Sequence, residues 1–378
     1  MNTRTAEIRW SVITSLLFLD LAILISWFAY HGYQGELLTK FGVIRPGVVH
    51  DALWLVILQG FILFITPPIA GLAADRLMKK RGNLLPVVNI GINFVSMVFM
   101  VVAVTISIQE PSSFLKLIFP IMVALWLISM NIFHSPAIST IETYVPENKL
   151  PIVISIFAIL ADLIAATDPI LTDLIEKISA PITFAVGGAL VFVTGLWFSR
   201  AAKKMQIQEG EAPNPSSTSN KKTNFPVVFL LGLVVGAATT CFFKYFPLWM
   251  DAKHTDVAAL VGLDPAVFTS ILIAGAAVLS LPLGLLASKF GTKRMAIASA
   301  IVCTAIISGV MTSHGTPALI LFCLYPLAFA AATVSFLPIA FSQLEKRHLV
   351  LGIGIFFSGV ELLSSVVDVI NVAGAPVP

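Results

Sequence analysis

Long apolar runs alternate with short polar turns along almost the whole chain. A helix needs about 20 mainly apolar residues to cross a bilayer, and eleven runs approach or exceed that length. We number the predicted spans 1 to 11: Trp10–Tyr30, Ala52–Ala74, Leu84–Ile108, Leu115–Ile138, Pro151–Leu174, Ile178–Ser199, Phe225–Pro247, Pro265–Ala287, Met295–Thr312, Pro317–Phe341 and Leu349–Ile370. A lone helix satisfies its own backbone hydrogen bonds in lipid, so each run is predicted to be a transmembrane helix.

The composition excludes a soluble fold. Of 378 residues, 57% are hydrophobic and 11% are charged, whereas soluble domains carry roughly 25% charged residues. The basic residues lie in turns between spans, which indicates membrane orientation rather than nucleic-acid binding. Three cysteines, Cys241, Cys303 and Cys323, fall inside apolar runs at unrelated spacings, a pattern that predicts neither a disulfide framework nor a metal site.

One polar segment interrupts the series. Residues 200–224 are charged at both ends and rich in Pro, Ser and Asn between them, which is the composition of a solvated, flexible linker. It divides the chain into a six-span half, residues 1–199, and a half with five predicted spans, residues 225–378.

The distribution of positive charge predicts the orientation. If the N-terminus is cytoplasmic, the inner segments hold 17 Lys and Arg residues and the outer loops hold 5. Positive residues collect on the cytoplasmic side of membrane proteins. We therefore expect a multi-pass protein of the cytoplasmic membrane with its N-terminus, linker and basic turns inside.

Two of the cytoplasmic turns are related in sequence. The turn after span 2 contains Gly71, Asp75, Arg76, Lys79 and Lys80, and the turn after span 8 contains Gly284, Lys289, Gly291, Lys293 and Arg294, with Ser288 in place of the acid. Two halves, a central linker and this Gly-x-x-x-Asp-Arg-x-x-basic-basic turn resemble the major facilitator superfamily. Met78 stands where that family usually has a second glycine.

The resemblance implies a fold. It predicts an all-α membrane protein of two pseudo-symmetric helical bundles, acting as a monomer, with spans 3, 6 and 9 on the periphery and the others around a central cavity. The family norm is twelve helices, so the eleven predicted here leave open either an outer C-terminus or a twelfth helix missing from this sequence.

The same resemblance implies a conformational latch at the basic turns. Asp75 can lie against the N-terminus of span 11, near Leu351 and Gly352, where the helix dipole favours an anion. The residues assigned to the latch on both turns are Gly71, Asp75, Arg76, Lys79, Lys80, Gly284, Lys289 and Arg294.

Charged residues within spans mark candidate sites, because a charge at mid-membrane costs about 3 kcal/mol on insertion scales. The in-span charges are Asp20, Asp162, Asp168, Lys244, Glu361 and Asp368, and spans 3, 6 and 9 contain none. Asp168 precedes Pro169, which predicts a bend in span 5.

Each of these charges has a functional and a structural interpretation. Asp20 is predicted to be a proton or cation site, or else a buried acid paired with a neighbouring helix. Glu361 is the first choice for a coupling acid, and Asp368, nearer the outer surface, is either a second coupling acid or a rim residue. Lys244 is predicted to bind an anionic substrate or to neutralise Asp20 or Glu361. Asp162 is a further candidate acid.

Uncharged polar groups and histidine complete the candidate site. Gln59, Asn131 and His134 could bind hydroxyl or amide groups of a solute, or could hold helices together.

These features together predict a secondary transporter. The sequence has neither a phosphate-binding Gly-x-x-x-x-Gly-Lys loop nor a Cys/His ligand cluster, so we expect no enzyme activity, cofactor or metal. The excess of in-span acids favours proton-coupled uptake of a small polar metabolite. The alternatives are a proton-driven exporter of amphiphilic compounds or, in a different class, a membrane sensor or scaffold that does not transport.

Overall fold

Helices account for nearly all of the described chain. The computed structural model describes residues 7–45, 49–81, 84–209 and 223–374, and no β-strand occurs in these ranges. The helices are α1 (Trp10–Lys40), α2 (Val49–Arg81), α3 (Leu85–Ile106), α4 (Ser113–Ile132), α5 (His134–Tyr144), α6 (Leu150–Ala166), α7 (Asp168–Glu176), α8 (Ala180–Glu209), α9 (Phe225–Thr240), α10 (Phe246–Ala252), α11 (Thr255–Val261), α12 (Pro265–Phe290), α13 (Thr292–Thr312), α14 (Gly315–Ser342) and α15 (Leu349–Val372). Eleven segments of the described residues are long and apolar enough to cross a membrane, which confirms the eleven predicted spans.

Several helices run beyond their predicted spans. Helix α1 continues ten residues past Tyr30, and α8 continues to Glu209, so residues 200–209 of the predicted linker are helical. Apolarity marks the part of a helix that meets lipid, whereas good helix formers such as Ala, Lys and Gln continue the helix into water. The rest of the linker prediction, residues 210–222, lies outside the described residues.

Two spans are broken near a proline. Span 4 consists of α4 and α5 with the break at Phe133, and span 5 consists of α6 followed by α7 with the break at Thr167. Pro136 and Pro169 each occupy the first turn of the second helix, where a missing backbone N–H costs little. The bend predicted at Asp168 and Pro169 is therefore confirmed.

Span 7 contains a π-helical turn. Helix α9 ends at Thr240, residues Cys241–Tyr245 form the π turn, and α10 begins at Phe246. Pro247 has no N–H for the usual bond to the carbonyl four residues earlier, and a local π turn is one way a helix absorbs such a gap. The turn includes Lys244, the in-span cation of this helix.

Each half has its own aromatic core. In the first half, Trp126 is buried and its ring stacks on Tyr30 with 4.3 Å between centroids. In the second half, Tyr325 is buried against Phe242, and its hydroxyl donates to the carbonyl of Ala238 at 3.0 Å. Cys241, Cys303 and Cys323 are free thiols in this structure.

The two halves pack against each other through two pairs of spans. Span 2 packs along span 11, and span 5 packs along span 8, whereas span 3 packs on span 6 and span 9 on span 10 within their own halves. We call the end of the bundle that carries Arg76, Lys79, Lys80 and Lys289 the basic end, and the other end the opposite end. Both interhalf pairs make close backbone approaches at the basic end.

Candidate functional site: two latches and a central polar region

The first close approach joins span 2 to the start of span 11. The Asp75 carboxylate accepts hydrogen bonds from the backbone N–H of Val350 at 3.1 Å and of Leu351 at 2.9 Å. Helix α15 has no side-chain cap of its own at His348. Asp75 therefore accepts from backbone N–H groups of the first turn of α15 that have no partner within that helix. An anion is also favoured there by the helix dipole. The structure thus places Asp75 where the sequence predicted it.

Gly71 makes this contact possible. It lies one helical turn before Asp75, and a Cβ added to it would come within 2.5 Å of the Val350 carbonyl oxygen and 2.7 Å of the Leu351 Cα. Both neighbours are backbone atoms, which cannot rotate away. A side chain at position 71 would therefore separate the two halves. We call the contact of Gly71 and Asp75 with span 11 the first latch.

The second close approach repeats the geometry with other chemistry. Ser288, four residues after Gly284, donates its hydroxyl to the backbone carbonyl of Asn148 at 2.6 Å. A Cβ at Gly284 would meet Ser155 side-chain atoms at 2.7 Å and the Pro151 carbonyl oxygen at 2.8 Å. This contact of span 8 with the start of span 5 is the second latch. Its Ser288 was not among the residues assigned to the latch from sequence.

The basic residues assigned to the latch lie at its edge. Arg76, Lys79, Lys80, Lys289 and Arg294 are all exposed at the basic end. Within the two latches, the contacts between the halves are instead made by the two glycines and by the polar residue four positions after each.

A titratable pair lies deeper in the bundle, at the break in span 4. His134, the first residue of α5, has its Nε2 atom 3.8 Å from the Asp20 carboxylate of span 1. The imidazole also packs on the ring of Phe357 from span 11, with 4.6 Å between centroids. Asp20 and His134 belong to the first half and Phe357 to the second, so the pair adjoins the interface between halves.

A second charged group lies nearer the opposite end. Lys244 Nζ is 2.5 Å from an Asp368 carboxylate oxygen and 3.2 Å from the Ser364 carbonyl. The direct ion-pair partner of Lys244 is thus Asp368, in place of the predicted Asp20 or Glu361. Span 11 packs directly on span 7 within the second half, and this packing brings Asp368 to the lysine. Glu361 and His31 remain within electrostatic range of the Lys244–Asp368 pair.

The other candidates are dispersed. Asp162 is buried, and its Oδ2 atom has no hydrogen-bond partner among the described residues. The Asn131 amide donates to the Leu127 carbonyl of its own helix. Gln59 accepts from the Gln34 amide of span 1 at 3.1 Å. The structure therefore joins Asp20 with His134 and Lys244 with Asp368, and it does not bring the seven predicted substrate and coupling residues into one cluster.

Three ligand-capable side chains that sequence spacing did not assemble meet at the opposite end. Ligand atoms of His254, Asp256 and His314 all lie within 4.8 Å of one another. Burial is the largest cause that lowers the pKa of His254. Burial opposes ionisation of Asp256, but hydrogen bonds from the backbone N–H of Gly315 and Val257 outweigh it and lower its pKa. The group lies in the segments before spans 8 and 10, so only the fold reveals it.

Solved structures share this fold. A bacterial homologue of the iron transporter ferroportin, in an outward-facing state, matches over 96% of this chain and 92% of its own, with 14% identity and a TM-score of 0.62. The human organic anion transporter MFSD10 (TETRAN) matches over 96% of this chain and 94% of its own, with 10% identity and a TM-score of 0.58. No curated protein matched in a sequence search.

The family assignment rests on a match along nearly the entire chain. The family model described as Major Facilitator Superfamily matches residues 9–367. The proteins of this superfamily are membrane transporters and not enzymes. Together with the two pseudo-symmetric latches, this match shows that the chain belongs to the Major Facilitator Superfamily.

Proposed function

We propose that this protein is a proton-coupled secondary transporter that takes up a small polar solute by alternating access. The observation that carries the proposal is the Asp20–His134 pair, 3.8 Å apart and in ring contact with Phe357 of the other half. At this distance the two groups are too far apart for a direct hydrogen bond. Neither group is therefore committed to a hydrogen bond with the other, and each can bind a proton or a solute hydroxyl.

The location of the pair gives protonation a way to influence the conformation. Adding one proton changes the net charge of the pair in a region of low dielectric, where charges interact more strongly than in water. His134 touches the second half through Phe357, so this charge change acts at the surface along which the halves move. Intramembrane acids are by default candidates for such proton relays.

The two latches support an assignment of the conformational state. Both hold the halves together at the basic end, through Asp75 on span 11 and Ser288 before span 5. If the basic end is cytoplasmic, as its Lys and Arg residues favour, the state described here is closed to the cytoplasm and faces outward. Loss of latch contacts would accompany the change to the inward-facing state.

The substrates named for the structural neighbours do not identify a substrate for this protein. One neighbour is named for iron and the other for organic anions, which carry opposite charge, and identities of 10 to 14% concern the fold alone. The charges of this chain support a polar solute instead. Among the six in-span charges named from the sequence, Lys244 is the one cation and is paired with Asp368, whereas Asp20, Asp162 and Glu361 are acids.

Proton release on solute addition tests the proposal. Purified protein in weak buffer would receive sugars, amino acids, nucleosides and small carboxylates in turn, with a pH-sensitive dye as the readout. We expect at least one class to move protons in the wild type and the signal to be lost in Asp20→Asn. The matched control is Asp51→Asn, since Asp51 is also an acid but pairs with exposed Arg45 at 2.8 Å.

The other outcomes separate the candidates. A signal that survives in Asp20→Asn but is lost in Glu361→Gln would move the coupling role to the group around Lys244. Solute binding detected by calorimetry without any proton signal would contradict proton coupling and favour a uniporter. Counterflow in proteoliposomes under an imposed pH gradient would establish whether uptake is the direction.

A second candidate function, export of amphiphilic compounds, is favoured by one cavity. It has a volume of about 630 Å³ and lies between spans 2, 3 and 4 toward the basic end. Its lining is almost wholly apolar, with Thr66 as the polar exception, and includes Ile69 and Ile90, which are exposed. Energised efflux of a lipophilic dye from proteoliposomes, with no response to polar solutes, would favour this reading over the first.

A further inference from the structure

A histidine at the opposite end is buried without any hydrogen-bond partner. His254 is only 1% exposed, and neither of its ring nitrogens has a partner among the described residues. Its backbone N–H donates to the Trp249 carbonyl at 2.8 Å, which fixes it at the end of span 7, and its ring lies edge-on to Phe322 of span 10. Burying an imidazole with both nitrogens unpaired is unfavourable, so a group that binds one of these nitrogens would stabilise the site.

The groups that face this histidine are of the kinds that bind metal ions. His314 presents a second imidazole, with 5.8 Å between ring centroids, and Asp256 presents a carboxylate. The backbone N–H of Gly315, next to His314, donates to the Asp256 carboxylate. The backbone N–H of Val257 donates to the other oxygen of this carboxylate at 2.9 Å. Together the two bonds hold the acid beside the second histidine, and each oxygen keeps a further lone pair for a ligand. Lys253 is the nearby cation that acts on His254.

We propose that His254, Asp256 and His314 form a binding site for a divalent transition-metal ion of the Zn²⁺ class, which ties the end of span 7 to the start of span 10. Two imidazoles and one carboxylate suit such borderline ions better than Ca²⁺ or Mg²⁺, which prefer oxygen ligands. Three protein ligands with a water molecule in the fourth position are a common arrangement around zinc.

The distances fit a site that closes around the ion. Atoms bound to one tetrahedral zinc lie about 3.3 Å apart, given metal–ligand bonds of roughly 2.0–2.1 Å. The ligand atoms here lie within 4.8 Å of one another, so a closing movement of up to about 1.5 Å is required. His314 is exposed, and rotation of its side chain can supply that movement while His254 remains fixed.

The site is separate from the proposed transport pathway. Its three residues lie outside the membrane spans, in the segment after Ala252 and immediately before α14. Asp20, His134 and Glu361 contribute nothing to it. The metal site can therefore fail while proton-coupled transport holds, and the reverse also applies.

Calorimetric titration of the metal-stripped, purified full-length protein with Zn²⁺ tests the proposal. We expect one ion to bind per chain, with an affinity at least tenfold weaker in His314→Ala and in Asp256→Asn. His314 is exposed, so its replacement leaves the fold intact. The matched control is His50→Ala, because His50 is an exposed histidine at the same end and its removal should leave the affinity unchanged.

A second readout identifies the ligands. Co²⁺ bound to two imidazoles and a carboxylate gives visible d–d absorption, which should appear in the wild type and in His50→Ala and be absent in His314→Ala. Absence of one-to-one Zn²⁺ binding, or equal affinity in the wild type and His314→Ala, would overturn the proposal. Equal loss of affinity in His50→Ala would overturn it as well, by showing adventitious binding to surface histidines.

Discussion

The first and second latches occupy equivalent places in the two halves but use different chemistry. In the first, the carboxylate of Asp75 accepts two backbone N–H bonds at the start of span 11. In the second, the hydroxyl of Ser288 donates one bond to the carbonyl of Asn148, just before span 5. The spacing from glycine to polar residue is four in both. The repeated sequence thus conserves the geometry of approach while the direction of hydrogen bonding is reversed.

This difference predicts unequal latches. Hydrogen bonds to a charged group contribute about 1.5–3 kcal/mol each, whereas neutral ones contribute about 0.5–1.5 kcal/mol. The first latch also tolerates a side chain at its glycine less well than the second. The nearest atoms to Gly71 are backbone atoms, whereas the Ser155 side chain is among the nearest neighbours of Gly284. We therefore expect the first latch to dominate closure of the basic end.

The largest expected effect comes from Gly71→Ala. The added Cβ would overlap the backbone of Val350 and Leu351, so spans 2 and 11 must separate at the basic end. Spin labels at Lys203→Cys and Lys293→Cys, two exposed residues in different halves, would report this opening as a longer distance in a background without native cysteines.

Two glycines of span 8 serve as comparisons for Gly71→Ala. Gly284→Ala should lengthen the distance less, because part of the clash is with a side chain. Gly275→Ala should leave it unchanged, since a Cβ there meets nothing within 4 Å. A Gly71→Ala distance equal to that of Gly275→Ala would show that the first latch does not hold the halves together.

The next effect in size is that of Asp75→Asn. The amide keeps one acceptor oxygen but loses the charge and places an NH₂ group against the N–H donors of span 11. Loss of about 1.5–3 kcal/mol corresponds to a shift of roughly ten- to a hundredfold toward the inward-facing state. The same pair of spin labels would measure the two populations, and an unchanged distribution would contradict a latch role for Asp75.

The sequence was sufficient to predict the first latch and insufficient for the second. Asp75 could be placed because the family resemblance implies a latch at this turn, and the helix dipole explains why the N-terminus of span 11 accepts an acid. Ser288 could not be assigned, because its target is a single carbonyl, that of Asn148, in the turn before span 5. Any hydroxyl can make such a bond, and no pattern in the sequence distinguishes this carbonyl from others at the basic end.

The central region shows the same limit. Eleven spans follow from apolar length alone, but the partners of in-span charges depend on helix rotation. Lys244 lies within the π turn of span 7. Because a π turn has more residues than an α-helical turn, the side chains after it point in directions that α-helical periodicity does not predict. Its pairing with Asp368 therefore required the structure. His134 was predicted as a candidate, but its place beside Asp20, directly after the break at Phe133, came from the structure.

Ser288→Asp should weaken the second latch, although it restores the acid found in the first. A carboxylate at position 288 would face the carbonyl oxygen of Asn148, and two acceptors without a hydrogen between them repel each other. We expect a shift of several-fold toward opening at the basic end, smaller than that of Asp75→Asn. A distance between the spin labels that shortens on this replacement would instead show that span 5 offers donors to an acid, as span 11 does.

Among the replacements at Gly71, Asp75 and Ser288, Ser288→Ala is expected to have the smallest effect on closure of the basic end. It removes one neutral hydrogen bond and leaves the Asn148 carbonyl at the membrane surface, where water can replace the hydroxyl. The expected cost is about 0.5–1.5 kcal/mol, which is roughly a two- to tenfold shift in the population that is open at the basic end. If Ser288→Ala opened that end as far as Asp75→Asn does, the carbonyl bond of span 5 would equal the charged contact on span 11. The two latches would then share the closure evenly, despite their different chemistry.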